Sequence, residues 1–300
     1  MRKRTEPFRP NEIAECNFGI ELELSTSAHV SAGEVARVLG SHTSIDVKDL
    51  TEDFVQARNR TDICSKFELV SPVLAGGSGI AEIDQVLKAL GTISSVEVGR
   101  SMGFHVHVDV SKFSCKELAK VCQNFLPIER AMDSFMPPSR REDVQQYCRS
   151  NEKVVESAAL SNCETLAELA SVMNPGEHPG VARYYKLNLQ NLVTGRQPTI
   201  EFRQHSGTSN GSKIKNWVMF CVAFVHNSVK LDDASLMVTA NDDDHLFEMI
   251  MVDVINDRYL RDFYRNRHNE LHKDHHGEGG GSCCEGCAAR GQCAAKFLPV

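Results

Sequence analysis

Three segments of this chain alternate apolar and ionisable residues with a period of two: FGIELEL at 18–24, GFHVHVDV at 103–110 and TIEFRQHSGT at 199–208. Alternate residues of a strand project to opposite faces, so each segment reads as a strand with one apolar side. On the first, Ile20, Leu22 and Leu24 alternate with Glu21 and Glu23. On the second, Phe104, Val106 and Val108 alternate with His105 and His107. On the third, Ile200 and Phe202 alternate with Glu201, Arg203 and His205. The apolar sides must be covered, which calls for helices behind a sheet. If the strands share that sheet, the ionisable sides converge on its other face.

The rest of the chain supplies the cover. Ser31 and Glu34 have capping-box spacing ahead of Val35, Val38 and Leu39, with Gly40 as a stop. Phe67–Val70 reads as a strand ended by Ser71-Pro72, and glycines 76, 77 and 79 read as a turn into a helix over Ile80–Leu90 closed by Gly91. Ser114 and Glu117 repeat the capping spacing, opening a helix expected to bend near Pro127. The chain then reads as mostly helical to about 172, so 114–178 is a helical insertion between strands. Tyr184–Leu189 reads as a further strand. Ile214, Trp217, Val218, Cys221, Phe224 and Val225 form one helical stripe, and a last helical region runs from Asp242–Asp244 to about His272. Residues 41–66 are charged and weakly patterned. The domain expectation is a loose lead-in over 1–16, a catalytic domain over 17–272 and a Gly/Cys-rich tail over 273–300, expected to be disordered.

Composition narrows the function classes. A net charge of −7 and a pI near 6.0 argue against a nucleic-acid binder and suit carboxylates that meet cations. No apolar run is long enough to span a membrane, and no hydrophobic segment follows the basic start MRKRTEPFRP, so neither a membrane anchor nor a signal peptide is expected. Cysteines 16, 64, 115, 122, 148, 163 and 221 are scattered as buried thiols are, which points to an intracellular, cytoplasmic setting. The tail holds Cys283, Cys284, Cys287 and Cys293 but one C-x-x-C only, where a structural zinc site pairs two.

Taken singly, Glu-x-Glu, His-x-His and Glu-x-Arg are more often a solvated face or an ion pair than a site. Together, on three apolar-backed strands, they point to a metal site. Carboxylates suit Mg²⁺ and Mn²⁺, an imidazole shifts the preference towards Mn²⁺ or Zn²⁺, and an arginine beside them offers a phosphate or carboxylate partner. No G-x-x-x-x-G-K-[ST] occurs, so a nucleotide would be held through metals and side chains. A cupin wants a glutamate shortly after the second histidine, and 109–113 (DVSKF) has none. A barrel amidohydrolase wants a β/α repeat downstream, which is missing. A metal-dependent hydrolase or cupin-like enzyme, or an inactive relative acting as a binding module, are the alternatives.

FGIELEL, FELVSP, GFHVHVDV, YYKLNL and TIEFRQHSGT, in this order, resemble the amidoligase family, which is related to glutamine synthetase and glutamate–cysteine ligase. The resemblance covers roughly 17–230. It implies an α+β fold, a curved antiparallel sheet with helices on its apolar face as in the glutamine synthetase-like catalytic fold. It implies ATP and two or more Mg²⁺ or Mn²⁺ ions, and an amide formed through an acyl phosphate. Glu21 and Glu23 would ligate different ions, Glu68 would join Glu23, and His105 would share an ion with Glu21 and Glu201. His107 would touch the nucleotide phosphates and Arg203 the transferring phosphoryl group, with Lys186 and Asn188 as further phosphate or nucleotide contacts. His205, on the same side as Arg203 by alternation, would face the substrate. Acid and amine stay open among small molecules, peptides and protein side chains. On this reading, Glu23→Gln and Glu201→Gln would spare or slightly raise metal-free stability by relieving repulsion.

Overall fold

The computed structural model describes residues 16–26, 30–40, 43–50, 65–93, 96–144, 146–231 and 243–273. Strand β1 (Asn17–Thr26) shows the alternation directly: Phe18, Ile20, Leu22 and Leu24 are buried while Glu21 and Glu23 are half-buried. It pairs with β3 (Ser65–Val70) on one side and with β5 (Gly103–Asp109) on the other. β2 (Asp46–Asp49) extends the sheet beyond β3, β7 (Thr199–Ser206) extends it beyond β5, and β6 (Leu187–Asn188) forms the far edge. With β4 (Leu74–Ala75) beside the start of β1, the result is a curved seven-stranded sheet in order β2-β3-β1-β5-β7-β6, and every pairing is antiparallel.

Helices cover the apolar face. α1 (Ala32–Leu39) starts at a capping box made by Ser31 and Glu34 and stops at Gly40, whose φ of 63° is the left-handed conformation that glycine adopts without strain. α3 (Cys115–Ser134) has the same device at Ser114 and Glu117. It runs unbroken through Pro127. α8 (Gly211–Ser228) carries the predicted stripe, and Phe202 of β7 meets Phe125 of α3 and Trp217 and Phe224 of α8 edge-on. Truncating a side chain in such a layer costs about 3–5 kcal/mol for an aromatic residue.

Several expectations need correction. α2 spans Gly76–Leu90, so the glycines open the helix instead of forming a turn before it. The reason is packing: a Cβ on Gly79 would lie 2.7 Å from Leu74 Cβ and 3.0 Å from Phe18 Cζ. The segment after α3 is only partly helical. It contains a 3₁₀ turn (Pro138–Arg140), irregular chain to 156, then α4 (Ser157–Leu160), α5 (Leu166–Met173) and α6 (Pro179–Ala182). The strand predicted over 184–189 shrinks to two residues and is followed by α7 (Gln190–Val193). Side chains replace the missing ladder there. Asn151 Oδ1 accepts from Leu187 N at 2.9 Å, Asn174 Oδ1 accepts from Leu189 N at 2.7 Å, and both asparagine amides donate to Leu187 O. Buried backbone groups at a sheet edge need such partners.

The last helical region is divided: α9 (Asp243–Met249), a π-helical stretch over Ile250–Ile255, and α10 (Arg258–Lys273) after Asn256 at φ 50°. Among the described residues, no helix is long and apolar enough to cross a membrane. The lead-in to 15, the weakly patterned stretch 51–64 and the cysteine-rich tail lie outside the described residues.

Candidate active site

Register brings the ionisable residues together. Glu23 stands opposite Glu68, Glu21 opposite His105, His107 opposite Glu201, and Glu201 opposite Asn188. Lys48 on β2 faces Glu68. These pairs form a polar band across the sheet, over an open cleft of about 460 Å³.

Glu21 and Glu201 lie at the centre with both imidazoles between them. His105 Nδ1 is 3.3 Å from Glu21 Oε2 and 3.3 Å from Glu201 Oε1. His107 Nε2 is 3.4 Å from Glu21 Oε1 and 4.0 Å from Glu201 Oε1. Burial alone would raise both carboxyls, but contact with the imidazoles outweighs it and holds Glu21 well below its ordinary range. Glu201 is also held low, first by the Arg203 guanidinium and then by the histidines. Burial and the Arg203 charge lower the His105 pKa, whereas Glu21 and Glu201 outweigh burial at His107 and raise it.

His107 Nε2 is buried and makes no hydrogen bond of good geometry. Near its other nitrogen, Thr199 Oγ1, 3.3 Å from Nδ1, is the acceptor on offer, and the Asn191 side-chain amide lies 3.4 Å away. One ligand atom each of Glu21, His107 and Glu201 lies within 4.8 Å of the others. Two carboxylates and an imidazole whose Nε2 faces them without a well-formed hydrogen bond fit a divalent cation of the Mn²⁺ or Mg²⁺ kind. This triad includes His107; His105, the ligand expected from the sequence, lies 3.3 Å from the same two carboxylates.

Glu23 and Glu68 lie one strand pair away. Glu23 accepts from Gly103 N at 3.1 Å and has Lys66 Nζ at 3.3 Å. Burial, then the charge of Glu21, pushes Glu68 up to about 7, with Lys48 Nζ at 3.7 Å. Gly103 matters for shape, since an added Cβ would sit 2.6 Å from His105 Nε2.

On β7, Glu201 Oε1 accepts from Arg203 Nη1, and Asn188 Nδ2 donates to Glu201 Oε2 at 2.6 Å. Arg203 faces the cleft by the same alternation as Glu201, and a β-bulge begins there. Phe202 pairs with Val106 and His205 with Phe104, so Arg203 and Gln204 together oppose His105. That extra residue reverses the alternation beyond it. His205, expected beside Arg203, lies on the apolar side against Phe104 and Trp217, outside the cleft. Lys186 is also absent from the cleft lining. Its Nζ is fully buried between Glu129 (3.0 Å) and Asp133 (2.7 Å) of α3.

Sequence reasoning missed Lys48, Arg183, Asn191 and Arg196, all of which line the cleft. They come from an unpatterned strand, from the four-residue helix α7 and from irregular chain on either side of β6, where no periodicity announces them. Thr199 was readable, being two residues before Glu201 on the same strand.

An anionic metal-ligand cluster beside an arginine, on the open face of an antiparallel sheet backed by helices, defines a class of site suited to cations and phosphates or carboxylates. Residues 14–225 match the family model Amidoligase_2, described as "Putative amidoligase enzyme", and the chain belongs to that family. Among solved structures, a bifunctional glutathione synthetase from Pasteurella multocida is similar at 12% identity and a TM-score of 0.44. That similarity covers 90% of this chain and 49% of the synthetase chain, so this chain spans about half of its length. No curated protein sequence matches this chain significantly.

Proposed function

We propose that the protein is an ATP-dependent ligase that joins a carboxylate to an amine through an acyl phosphate, with Mg²⁺ or Mn²⁺ in the cleft. The observation that carries the reading is the Glu21–His107–Glu201 triad, its imidazole Nε2 facing the carboxylates without a well-formed hydrogen bond, beside Arg203. Glu21, His107 and Glu201 would hold one cation, and Glu23 with Glu68 another. Bound there, such ions offset phosphate charge and polarise the phosphoryl group.

A carboxylate acylates amines poorly because oxide is its leaving group. Attack of a carboxylate oxygen on the γ-phosphorus of ATP expels ADP and leaves the acyl phosphate. The amine then attacks the acyl carbon, phosphate departs with that oxygen, and the amine nitrogen loses a proton. Arg203 would meet the charge that gathers on the phosphoryl group in transfer. Glu201 Oε1 aims the guanidinium, and Asn188 fixes the other oxygen of Glu201. Lys186, Glu129 and Asp133 hold the edge from which Asn188 projects, which is a positioning role. The described cysteines, all free thiols, support an intracellular location. The substrates are small-molecule, peptide or protein carboxylates and amines.

Hydroxylamine, a small and strong nucleophile, tests this reading. Incubated with ATP, Mg²⁺ or Mn²⁺ and a panel of acids, the protein should release ADP and form a hydroxamate. Arg203→Ala should lose this reaction far more than it loses ATP binding, because its contact strengthens in the transition state. Release of AMP and pyrophosphate, or hydroxamate formation without ATP, contradicts the acyl-phosphate route.

A further inference from the structure

Two arginines of the cleft have no role in the chemistry above. Arg183 precedes β6, and Arg196 lies in the connection from α7 to β7; both are exposed and both line the cleft. Among the described residues, neither pairs with a carboxylate, whereas the other cleft cations do: Lys48 has Glu68 and Arg203 has Glu201. Unpaired guanidiniums facing a cleft are anion receptors, because their planar fork matches carboxylate and phosphate oxygens.

Strand order decides which anion. The carboxylates that would hold cations, and through them the polyphosphate, run from Glu68 on β3 through Glu21 and Glu23 on β1 to Glu201 on β7. Arg183 and Arg196 flank β6, at the opposite edge from β3. Arg203 stands between the two zones. The guanidiniums of Arg183 and Arg203 both lie over the ring of Tyr184, at 5.1 and 5.7 Å from its centroid. A carboxylate activated beside Arg203 would therefore extend the rest of its molecule towards the β6 edge.

We infer that Arg183 and Arg196 form a second-anion subsite, and that the acid substrate is dianionic: it carries a further carboxylate, or an equivalent anion, besides the one that is activated. This inference rests on the ligase reading. The same guanidiniums would also suit the phosphates of ATP, and the experiment separates the two sources.

Calorimetric titrations would be made on the full chain with Mg²⁺ and a non-hydrolysable ATP analogue. The acids would be succinate, glutarate, adipate, L-aspartate and L-glutamate, each against its side-chain or mono-amide. The wild-type protein should bind at least one dianion tenfold or more tightly than its amide. Arg183→Gln/Arg196→Gln should erase that preference and keep the affinity for the ATP analogue within twofold. Both side chains are exposed, so the variant should fold, and its circular dichroism checks that. A tenfold loss of analogue affinity would assign the arginines to the nucleotide and overturn the inference. So would a wild-type protein that binds no dianion better than its amide. Failure of the wild type to bind the analogue at all would instead sink the ligase reading, since dianion preference is scored separately.

Discussion

Replacing Glu201 by Gln tests whether the site is wired as described, because its effect on the metal-free fold has a definite sign. The Glu201 and Arg203 side chains are 5% and 8% exposed, so theirs is a buried ion pair. Removing one partner of such a pair costs about 3–5 kcal/mol, mainly because the other charge is left buried. Two features reduce this. Arg203 borders an open cleft and lies over the Tyr184 ring, so its head can turn towards water. Repulsion between Glu201 and Glu21 is also relieved, though the histidines between them already damp it. The net expectation is a loss of about 2–3 kcal/mol. The sequence alone suggested the reverse, since it showed clustered carboxylates and not the guanidinium bound to one of them. Glu23→Gln is the control. Its partner is Lys66 at 3.3 Å, with side chains 20% and 14% exposed, and the change should stay within about 1 kcal/mol. Urea unfolding with chelator present measures both. In Glu201→Gln/Arg203→Gln much of the loss should return, as both charges are gone. A Glu201→Gln protein as stable as the wild type would refute the buried-pair reasoning.

Thr199→Val should weaken Mn²⁺ binding by about 10–100-fold, because Thr199 Oγ1 is placed to accept the Nδ1–H of His107 and leave Nε2 free as a ligand; equilibrium dialysis checks it, and unchanged affinity would remove Thr199 from that role. Gly103→Ala should shift the His105 ring and depress hydroxamate formation while stability stays within about 1 kcal/mol, since the clash is with the movable end of a side chain; full activity would contradict it. Burial holds His205 down to about 3, below its ordinary 6.5, so the unfolded chain binds a proton there that the fold does not. Its contribution is complete above pH 6.5 and is lost as pH falls towards 3, at up to about 1.4 kcal/mol per pH unit. His205→Phe, which suits the contacts with Phe104 and Trp217, should lose less stability between pH 6.5 and 5 than the wild type; equal slopes would contradict this.

The sheet was legible because its strands set apolar residues against ionisable ones: a period of two shows which face is which in β1, β5 and the first half of β7. The capping boxes at Ser31 and Ser114 were legible because they are local chemistry. What failed depended on distant chain. The bulge at Arg203 and Gln204 leaves no mark on the alternation in β7, yet it sends His205 to the other face. Lys186 reads as a strand lysine until α3 brings Glu129 and Asp133 to it. Asn191, near His107, sits on α7, a short helix no pattern predicted. Spacing shows which face a side chain shares but not what meets it there.

The central claim is that Glu21, His107 and Glu201 together hold a divalent cation beside Arg203. Anomalous diffraction from crystals grown with Mn²⁺ tests it most directly. The account predicts a peak within ligand distance of His107 Nε2 and one oxygen each of Glu21 and Glu201, lost in His107→Ala. A Mn²⁺ peak elsewhere with none at this triad, or one that survives His107→Ala unchanged, would contradict it.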